Sequence, residues 1–465
     1  MIEVNTEVLI IGAGPGGYVA AIYAAKKGKN VTLVDGRWIG GACLNEGCIP
    51  TKALVKSAEL YQELINGEKR GISSENIKVN LEQIIDNKNE VKDKLISGIE
   101  FLLKKYNINI IKGYAKFLNN EEVLITAGDE FLVKAENIII ATGSYTKHLP
   151  IQGINLDNVF DSEKILNNTH LPKSMTIIGG GVIGMEFAFI YANLGVKVNV
   201  VEFLPRILPL IEKDVALRLI RFAKQLNIDI YTSSAVSKIE KSSIGLKVFF
   251  TRKDKEECLE SEFVLEAVGR GPKISDLGLE NTDIIYDQRS GVKVNNLMET
   301  NVKNIYAIGD VTNIIQLAHV ASHQGLVAVD NILGMNVTMD YNNIPSVVFT
   351  SPTIATIGMT EDKAKESNIE YEIVKTPFSA NGKALILEAE TGFIKLLRDK
   401  NSKELIGTTI LGKEAENLIA TYGLAITNKL KSSDIKKTVF AHPTIQELVH
   451  ESALGLDKEA IHFVD

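Results

Sequence analysis

Val8-Leu-Ile-Ile-Gly12-Ala-Gly14-Pro-Gly-Gly17 runs from a buried-strand pattern through clustered glycines into an apolar helical stretch, and Val31-Thr-Leu-Val-Asp35 follows as a second strand ending in a carboxylate. Strand, glycine turn, helix and acid in that order make a dinucleotide-binding βαβ unit. Gly12 permits the turn, Gly14 lets backbone approach a pyrophosphate, Gly17 packs helix on strand, and Asp35 is placed to bond a ribose hydroxyl. The device recurs: Thr176-Ile-Ile-Gly179-Gly-Gly181-Val-Ile-Gly184-Met-Glu186 precedes Val198-Asn-Val-Val-Glu202, and in both copies the first glycine stands 23 residues before the acid. Two units of identical spacing predict an α/β chain with two Rossmann-like domains and two bound dinucleotides. Glu202 accepts from a free 2′-hydroxyl and repels a 2′-phosphate, which favours NAD over NADP, although Arg206 lies close downstream.

A short distance past the first unit comes Gly40-Gly-Ala-Cys43-Leu-Asn-Glu-Gly-Cys48-Ile-Pro-Thr-Lys52. Residues i and i+5 of a regular α-helix are about 8.6 Å apart at Cα, too far for a disulfide, so a redox pair here requires a broken helix start. Gly47 offers the backbone freedom and Pro50 suits the first turn of a helix through Lys52-Ala-Leu-Val-Lys. Cys48 then lies at a helix N-terminus, where the dipole and unpaired N–H groups favour thiolate. Two buried free cysteines or half a zinc site are the competing readings. Zinc prefers closer pairs and a second ligand pair, and the remaining cysteine, Cys258, sits in a charged stretch and reads as an exposed bystander. No metal site is expected.

The chain's 465 residues exceed what one core supports, so two to four domains are expected. Its 51 basic and 58 acidic residues leave a net charge of −7, which argues against nucleic acid or anionic membrane as a partner. Residues Val8 to Ala25 are 18 uncharged residues in a row. The interrupting glycines and Pro15, with Glu3 and Glu7 where a signal peptide is basic, point to turn chemistry rather than a membrane span or presequence. A cytoplasmic protein is the expectation. Three cysteines in this length make no disulfide scaffold.

Between the two units Val91, Leu95, Ile99 and Leu102 recur at helical spacing among charges, which predicts a core-facing helix. Strand-like Asn137-Ile-Ile-Ile-Ala-Thr142-Gly143 precedes the second unit and Asn304-Ile-Tyr-Ala-Ile-Gly309-Asp310 follows it. After Asn342-Asn-Ile-Pro345 strands and helices alternate without fingerprints, which marks a separate C-terminal domain. That domain holds Ala441-His442-Pro-Thr-Ile-Gln-Glu447. Alone, His442 reads as a helix-start histidine with a solvated acid behind it. Beside a dithiol pair it becomes the best base among seven histidines, with Glu447 to orient the imidazole.

Together these motifs closely resemble the pyridine nucleotide-disulphide oxidoreductases over essentially the whole chain, and among them the dihydrolipoamide dehydrogenases. The resemblance implies an FAD-binding domain at 1–147, an NAD-binding domain at 148–272, a central segment at 273–345 completing the FAD site, and a C-terminal α+β dimerisation domain at 346–465. It implies FAD on the first unit, with Asp35 at the ribose, Thr142 and Gly143 beside the cofactor and Asp310 closing on the flavin side chain. NAD belongs on Gly179, Gly181, Gly184 and Glu202, and Gly269 is a further cofactor-binding residue. By the same resemblance Cys43 exchanges with a dihydrolipoyl substrate, Cys48 faces the flavin, and Lys52 pairs with Glu186, two residues that read from the sequence alone as surface charges. His442 and Glu447 are implied to reach the cysteines from the partner of a homodimer. Lipoyl domains of 2-oxo acid dehydrogenase or glycine cleavage complexes are the implied partners. Ala42 stands where the family commonly has threonine, Thr51 where it has serine, and Phe440 where another histidine is frequent. A glutathione reductase-like enzyme, for which arginines are expected where Glu202 stands, and a flavin-based redox sensor or binding component are the alternatives.

Overall fold

The computed structural model describes residues 1–464. Strand β1 (Ile2–Ile11) is the axis of the first domain and pairs in parallel with β2 (Val31–Val34) on one side. Helix α1 (Pro15–Lys26) joins the two strands, starting with proline in its first turn as the fixed φ favours. Next come α2 (Gly41–Glu46), α3 (Cys48–Ile65), the long α4 (Leu81–Lys105) and β3 (Asn109–Ile111), followed by the meander β4 (Tyr114–Phe117), β5 (Glu122–Ala127) and β6 (Asp129–Ile140). The sheet order is β3-β2-β1-β6-β5-β4.

Short β7 (Ser144–Thr146) and β8 (Val159–Asp161) lead into the second domain, built from β9 (Ser174–Ile178), α5 (Val182–Asn193), β10 (Lys197–Val201), α6 (Lys213–Gln225) and β11 (Ile228–Tyr231). An antiparallel three-stranded sheet of β12 (Ser234–Ser242), β13 (Gly245–Arg252) and β14 (Lys255–Ser261) precedes β15 (Phe263–Glu266). The second parallel sheet is ordered β11-β10-β9-β15-β8. Its first four strands repeat the order β3-β2-β1-β6, so the duplicated sequence spacing becomes a duplicated topology.

Strand β16 (Arg270–Pro272) pairs antiparallel with β7. After the small hairpin of β17 (Tyr286–Asp287) and β18 (Gly291–Val292), strand β19 (Ile305–Ala307) adds in parallel to β6 of the first sheet. The chain thus returns to the first domain, and α7 (Ala318–Ile332) packs against α1. Gly325 makes that approach possible, because a Cβ there would lie 2.8 Å from the Gly16 carbonyl.

The C-terminal part is a five-stranded antiparallel sheet of β20 (Ser346–Val348), β21 (Ile354–Gly358), β22 (Tyr371–Pro377), β23 (Phe393–Asp399) and β24 (Leu405–Leu411) in the order β20-β21-β24-β23-β22. With it come the short helices α8 (Glu361–Glu366) and α9 (Gly382–Ile386), then α10 (Ala415–Thr427), α11 (Ser432–Lys436) and α12 (Glu447–Leu456). Tyr422, Leu448 and Val449 close a separate core between this sheet and its helices. Buried Lys395 of β23 ties this part to the second domain through Glu212 at 3.4 Å and Asp214 at 2.9 Å.

One expectation fails. The stripe Val91, Leu95, Ile99 and Leu102 does not face the core as a whole: Val91, Leu95 and Leu102 are exposed, and only Ile99 packs partly inward. Helix α4 instead buries Leu81, Ile85 and Lys88 in its first turns and Leu103 at its end, on a face only about 60° round from the apolar stripe, so it meets the core at its ends rather than along its middle. Lys88 can occupy the buried face because its Nζ donates to the Leu166 carbonyl at 2.7 Å and to Asn167 Oδ1 at 3.0 Å. Helical periodicity reports which residues share a face; it does not report whether that face meets this chain's core.

Candidate active site

The two glycine turns are superposable in their chemistry. Gly12 and Gly179 have φ of 110° and 111°, and a Cβ at either would strike the carbonyl oxygen of Ala141 or Ala267 at 2.2 and 2.4 Å. Each therefore needs glycine twice over, for the backbone angle and for the strand beside it. Gly17 and Gly184 lie so close to the first glycine of their units that a Cβ would sit 1.8 Å from the Gly12 oxygen and 1.9 Å from the Gly179 oxygen. The middle glycines differ: a Cβ at Gly14 would meet only Gly41 Cα at 3.9 Å, and at Gly181 nothing within 4 Å. These two face open space at the N-termini of α1 and α5, the cradle that a pyrophosphate requires.

The acids also correspond. Asp35 accepts from the backbone N–H of Ala13 at 2.7 Å and of Arg37 and Trp38 at 2.7 and 3.1 Å. Glu202 accepts from Gly180 N–H at 2.5 Å and Leu204 N–H at 2.6 Å. Each acid thus braces its own glycine turn. Arg206 donates to the Pro209 carbonyl at 2.6 Å.

Around the first cradle, the Thr142 hydroxyl donates to the Lys273 carbonyl at 2.6 Å, Gly143 takes a positive φ of 76°, and Gly269 one of 100°. Asp310 lies in the one-turn helix Gly309–Thr312 and accepts from Ser144 Oγ at 2.6 Å. Burial pushes its carboxyl above the usual range, against the pull of Ser144 and Arg270. The side-chain oxygen of fully buried Gln324 receives the Gly309 N–H at 2.6 Å and so fixes that turn.

The cysteines flank the break between α2 and α3. Gly47, at φ −144° and ψ −111°, separates the two helices, and Cys48 is the first residue of α3. The Thr51 hydroxyl donates back to the Gly47 carbonyl at 2.7 Å, while the Asn45 amide donates to the carbonyls of Ile39 and Gly41 at 3.0 and 2.9 Å. Both thiols are half-buried and free. Hydrogen bonding from Cys43 brings the Cys48 thiol down to about 7 against the opposing effect of burial, and Lys52 adds to the lowering. The same hydrogen bond, together with burial, pushes the Cys43 thiol far up. The pair is a thiol donating to a thiolate, with the negative charge on Cys48.

One turn along α3, Lys52 Nζ reaches both carboxylate oxygens of buried Glu186 on α5, at 2.9 and 3.0 Å. Glu186 also accepts the Phe349 N–H at 3.0 Å, and the Phe349 ring lies 4.5 Å from the lysine nitrogen. In the C-terminal part His442 Nδ1 meets Glu447 Oε1 at 2.9 Å, and Glu447 Oε2 accepts the Thr444 N–H at 3.0 Å. Despite partial burial, those two bonds hold the Glu447 carboxyl below its usual value. The imidazole is 79% exposed, and among the described residues Glu447 is its sole side-chain partner. No group of three metal-ligating side chains occurs among the described residues.

The family profile for pyridine nucleotide-disulphide oxidoreductases matches residues 6–325, and that for the dimerisation domain of the same family matches residues 344–453. The chain belongs to the pyridine nucleotide-disulphide oxidoreductase family. The dihydrolipoyl dehydrogenase of Bacillus subtilis is 39% identical over 471 positions, covering 99% of this chain and 98% of that protein. That of Chlamydia pneumoniae is 39% identical, covering 98% of each. Among solved structures, LpdA from Mycobacterium tuberculosis superposes with a TM-score of 0.92 at 26% identity, over 97% of this chain and 99% of that one. The HOCl-induced flavoprotein disulfide reductase RclA from Escherichia coli gives a TM-score of 0.86 at 29% identity, over 96% and 99%. The chain is thus an oxidoreductase with a dimerisation domain, and among its described residues no helix is long and apolar enough to cross a membrane.

Sequence reading missed the polar cluster that joins Ser144, Thr146, Glu163 and Arg270 beside Asp310. Arg270 donates to Ser144 Oγ at 2.8 Å, Thr146 Oγ1 at 2.9 Å and Glu163 at 3.1 Å. These residues carry no motif of their own.

Proposed function

We propose that this chain is a dihydrolipoyl dehydrogenase, which oxidises protein-bound dihydrolipoamide to lipoamide and delivers the electrons to NAD⁺. The observation that carries the reading is the Cys43–Cys48 pair at the α2–α3 break, with Lys52 one turn behind Cys48, between two glycine cradles. The near full-length similarity to dihydrolipoyl dehydrogenases supports the choice of substrate.

The open faces of Gly14 and Gly181 fit one pyrophosphate each. FAD belongs on the first cradle, held by Gly12, Gly14, Gly17, Asp35, Thr142, Gly143 and Asp310, with Lys52 near its ring. NAD belongs on Gly179, Gly181, Gly184 and Glu202, with Gly269 as a further cofactor-binding residue. Once bound, the two cofactors supply a two-electron path from the thiols to nicotinamide.

The protein's own steps are thiol exchange. A substrate thiol loses its proton to His442 of the partner subunit, and the resulting thiolate attacks Cys43 Sγ in the oxidised Cys43–Cys48 disulfide. The sulfur–sulfur bond breaks towards Cys48, whose surroundings favour the departing thiolate. The second substrate thiol then attacks its own bound sulfur, releases lipoamide and leaves Cys43 as the thiol. Two electrons have moved from substrate to the cysteine pair. The Glu447 carboxylate on Nδ1 keeps Nε2 of His442 as the basic atom and stabilises the imidazolium. The homodimer, lipoyl domains of 2-oxo acid dehydrogenase or glycine cleavage complexes as electron donors, and a cytoplasmic setting complete the reading.

The test is anaerobic reduction of the yellow holoprotein with dihydrolipoamide, followed by NAD⁺. A long-wavelength thiolate–flavin band and then NADH formation support the assignment. Reduction by NADH but not by dihydrolipoamide would keep the fold and cofactors and assign the protein to another disulfide substrate.

A further inference from the structure

Glu46 stands on α2 three residues after Cys43, hence on the same helical face, and two residues before Cys48. Its side chain is mostly buried, with Oε1 2.9 Å from Arg37 Nη2. The same guanidinium nitrogen lies 4.0 Å from Glu163 Oε2, so the two carboxyls crowd one cation. Glu163 Oε1 in turn receives Thr146 Oγ1 at 2.9 Å and Arg270 Nη1 at 3.1 Å. Arg270 Nε donates to Ser144 Oγ, which donates to Asp310. A continuous polar chain therefore links the cysteine-bearing helix to the carboxylate assigned to the flavin side chain.

Two features of this chain call for a proton. Glu46 Oε2 is buried and receives no N–H or O–H from any described residue. The charged groups of the cluster are the guanidinium groups of Arg37 and Arg270 and the carboxyls of Glu46, Glu163 and Asp310. Fully ionised, these leave one uncompensated negative charge in a half-buried site, a costly state in low dielectric. One retained proton removes the charge and supplies the missing donor.

We propose that Glu46 and Glu163 hold a single proton between them, and that this pair is a positioning element setting the charge next to the Cys43–Cys48 dithiol. Burial first, and then the charge of Glu163, push the Glu46 carboxyl up to about 7, whereas Thr146 and Arg270 keep Glu163 ionised. The proton therefore resides on Glu46 below neutrality and leaves above it. Its departure leaves a negative charge on the helix that carries Cys43, two positions before Cys48 in the chain, and we infer that this charge opposes the Cys48 thiolate. The inference rests on the redox reading of the cysteines and not on the identity of the dithiol that reduces them.

The test uses the oxidised holoenzyme, in which the cysteines are joined and titrate no proton. Infrared spectra of ¹³C-glutamate-labelled protein across neutral pH should show a protonated-carboxyl band that disappears with a midpoint near 7. Glu46→Gln should abolish that titration, Glu163→Gln should move its midpoint to lower pH because the charge that adds to burial is gone, and the double variant should look like Glu46→Gln. In the reduced enzyme, Glu46→Gln should raise the thiolate–flavin absorbance on the alkaline side of neutrality, while Glu46→Asp retains the wild-type profile. A wild-type protein without the band, a band that survives in Glu46→Gln, or a midpoint unmoved by Glu163→Gln overturns the proposal. Neither readout uses a lipoyl substrate, so failure of the substrate assignment is seen separately.

Discussion

Lys52 Nζ lies 2.9 and 3.0 Å from the two carboxylate oxygens of Glu186, so α3 of the first domain is pinned to α5 of the second. The Phe349 N–H on the same carboxylate adds the C-terminal part to the contact. Three regions of the chain meet on one buried acid, whose lysine partner stands one helical turn from Cys48. Lys52→Ala would leave Glu186 with a single backbone donor, a loss of about 2–3 kcal/mol, at the low end for a broken buried pair because the lysine is itself about a third exposed. Guanidinium unfolding should register that loss as a lower midpoint. The Cys48 thiol should also titrate at higher pH, since Lys52 contributes to its lowering. Lys52→Arg should retain most of that lowering, and an unchanged Cys48 titration in Lys52→Ala would remove the lysine from thiolate stabilisation.

The thiol pair carries its own pH prediction. Cys48 is depressed to about 7 and Cys43 raised, so thiolate accumulates on Cys48 as pH rises through 7, while Cys43 stays protonated. In reduced protein, alkylation of Cys48 by iodoacetamide, read by peptide mass, should accelerate with a midpoint near 7. In Cys48→Ser the hydrogen-bonded partner is gone, and Cys43 should react with the midpoint of an ordinary thiol, about 8.5 or above. Equal reactivity of both cysteines at neutral pH would contradict the assigned direction.

The two cradles can be separated by single methyl groups. Gly184→Ala drives a Cβ to 1.9 Å from the Gly179 oxygen, and Gly17→Ala does the same at 1.8 Å from the Gly12 oxygen. Overpacking of this kind typically costs about 1–3 kcal/mol. Gly184→Ala should therefore purify with full flavin content but with a raised KM for NAD⁺, whereas Gly17→Ala should purify depleted of flavin. Flavin absorbance per subunit and NAD⁺ saturation curves distinguish them, and loss of flavin from both variants would refute the division of labour.

The glycine turns and the break at Gly47 were legible in the sequence because each depends on local backbone chemistry. The second sheet's repetition of the first could be expected for the same reason, since the 23-residue spacing fixes strand, helix and strand in one order. What crosses between domains was not legible. Lys52 and Glu186 are 134 residues apart and look like surface charges until α3 and α5 meet. Lys88 sits on a buried face that no hydropathy pattern assigns to a lysine, because its partners are a carbonyl and an amide from residues 166 and 167. The exposed stripe on α4 misled for a related reason: apolar periodicity is equally suited to a second subunit.

His442 supplies the clearest test of the dimer. Its imidazole is largely exposed, braced by Glu447 on Nδ1 and without a partner on Nε2 among the described residues, a base presented outward. His442→Gln should slow reduction by dihydrolipoamide by about 10²- to 10⁴-fold, the usual scale for a lost acid–base group. Glu447→Gln should cost less, because it removes orientation and charge support and keeps the base. Both should leave reduction of the flavin by NADH intact. If the histidine serves the cysteines of the other subunit, His442→Gln and Cys43→Ser are defects in different halves of one site. Unfolding and refolding the two inactive variants together should give mixed dimers, each with one intact site, and so recover about a quarter of wild-type turnover at random pairing. No recovery, with mixed dimers verified by mass, would place His442 and Cys43 in the same subunit's site or remove the histidine from the chemistry.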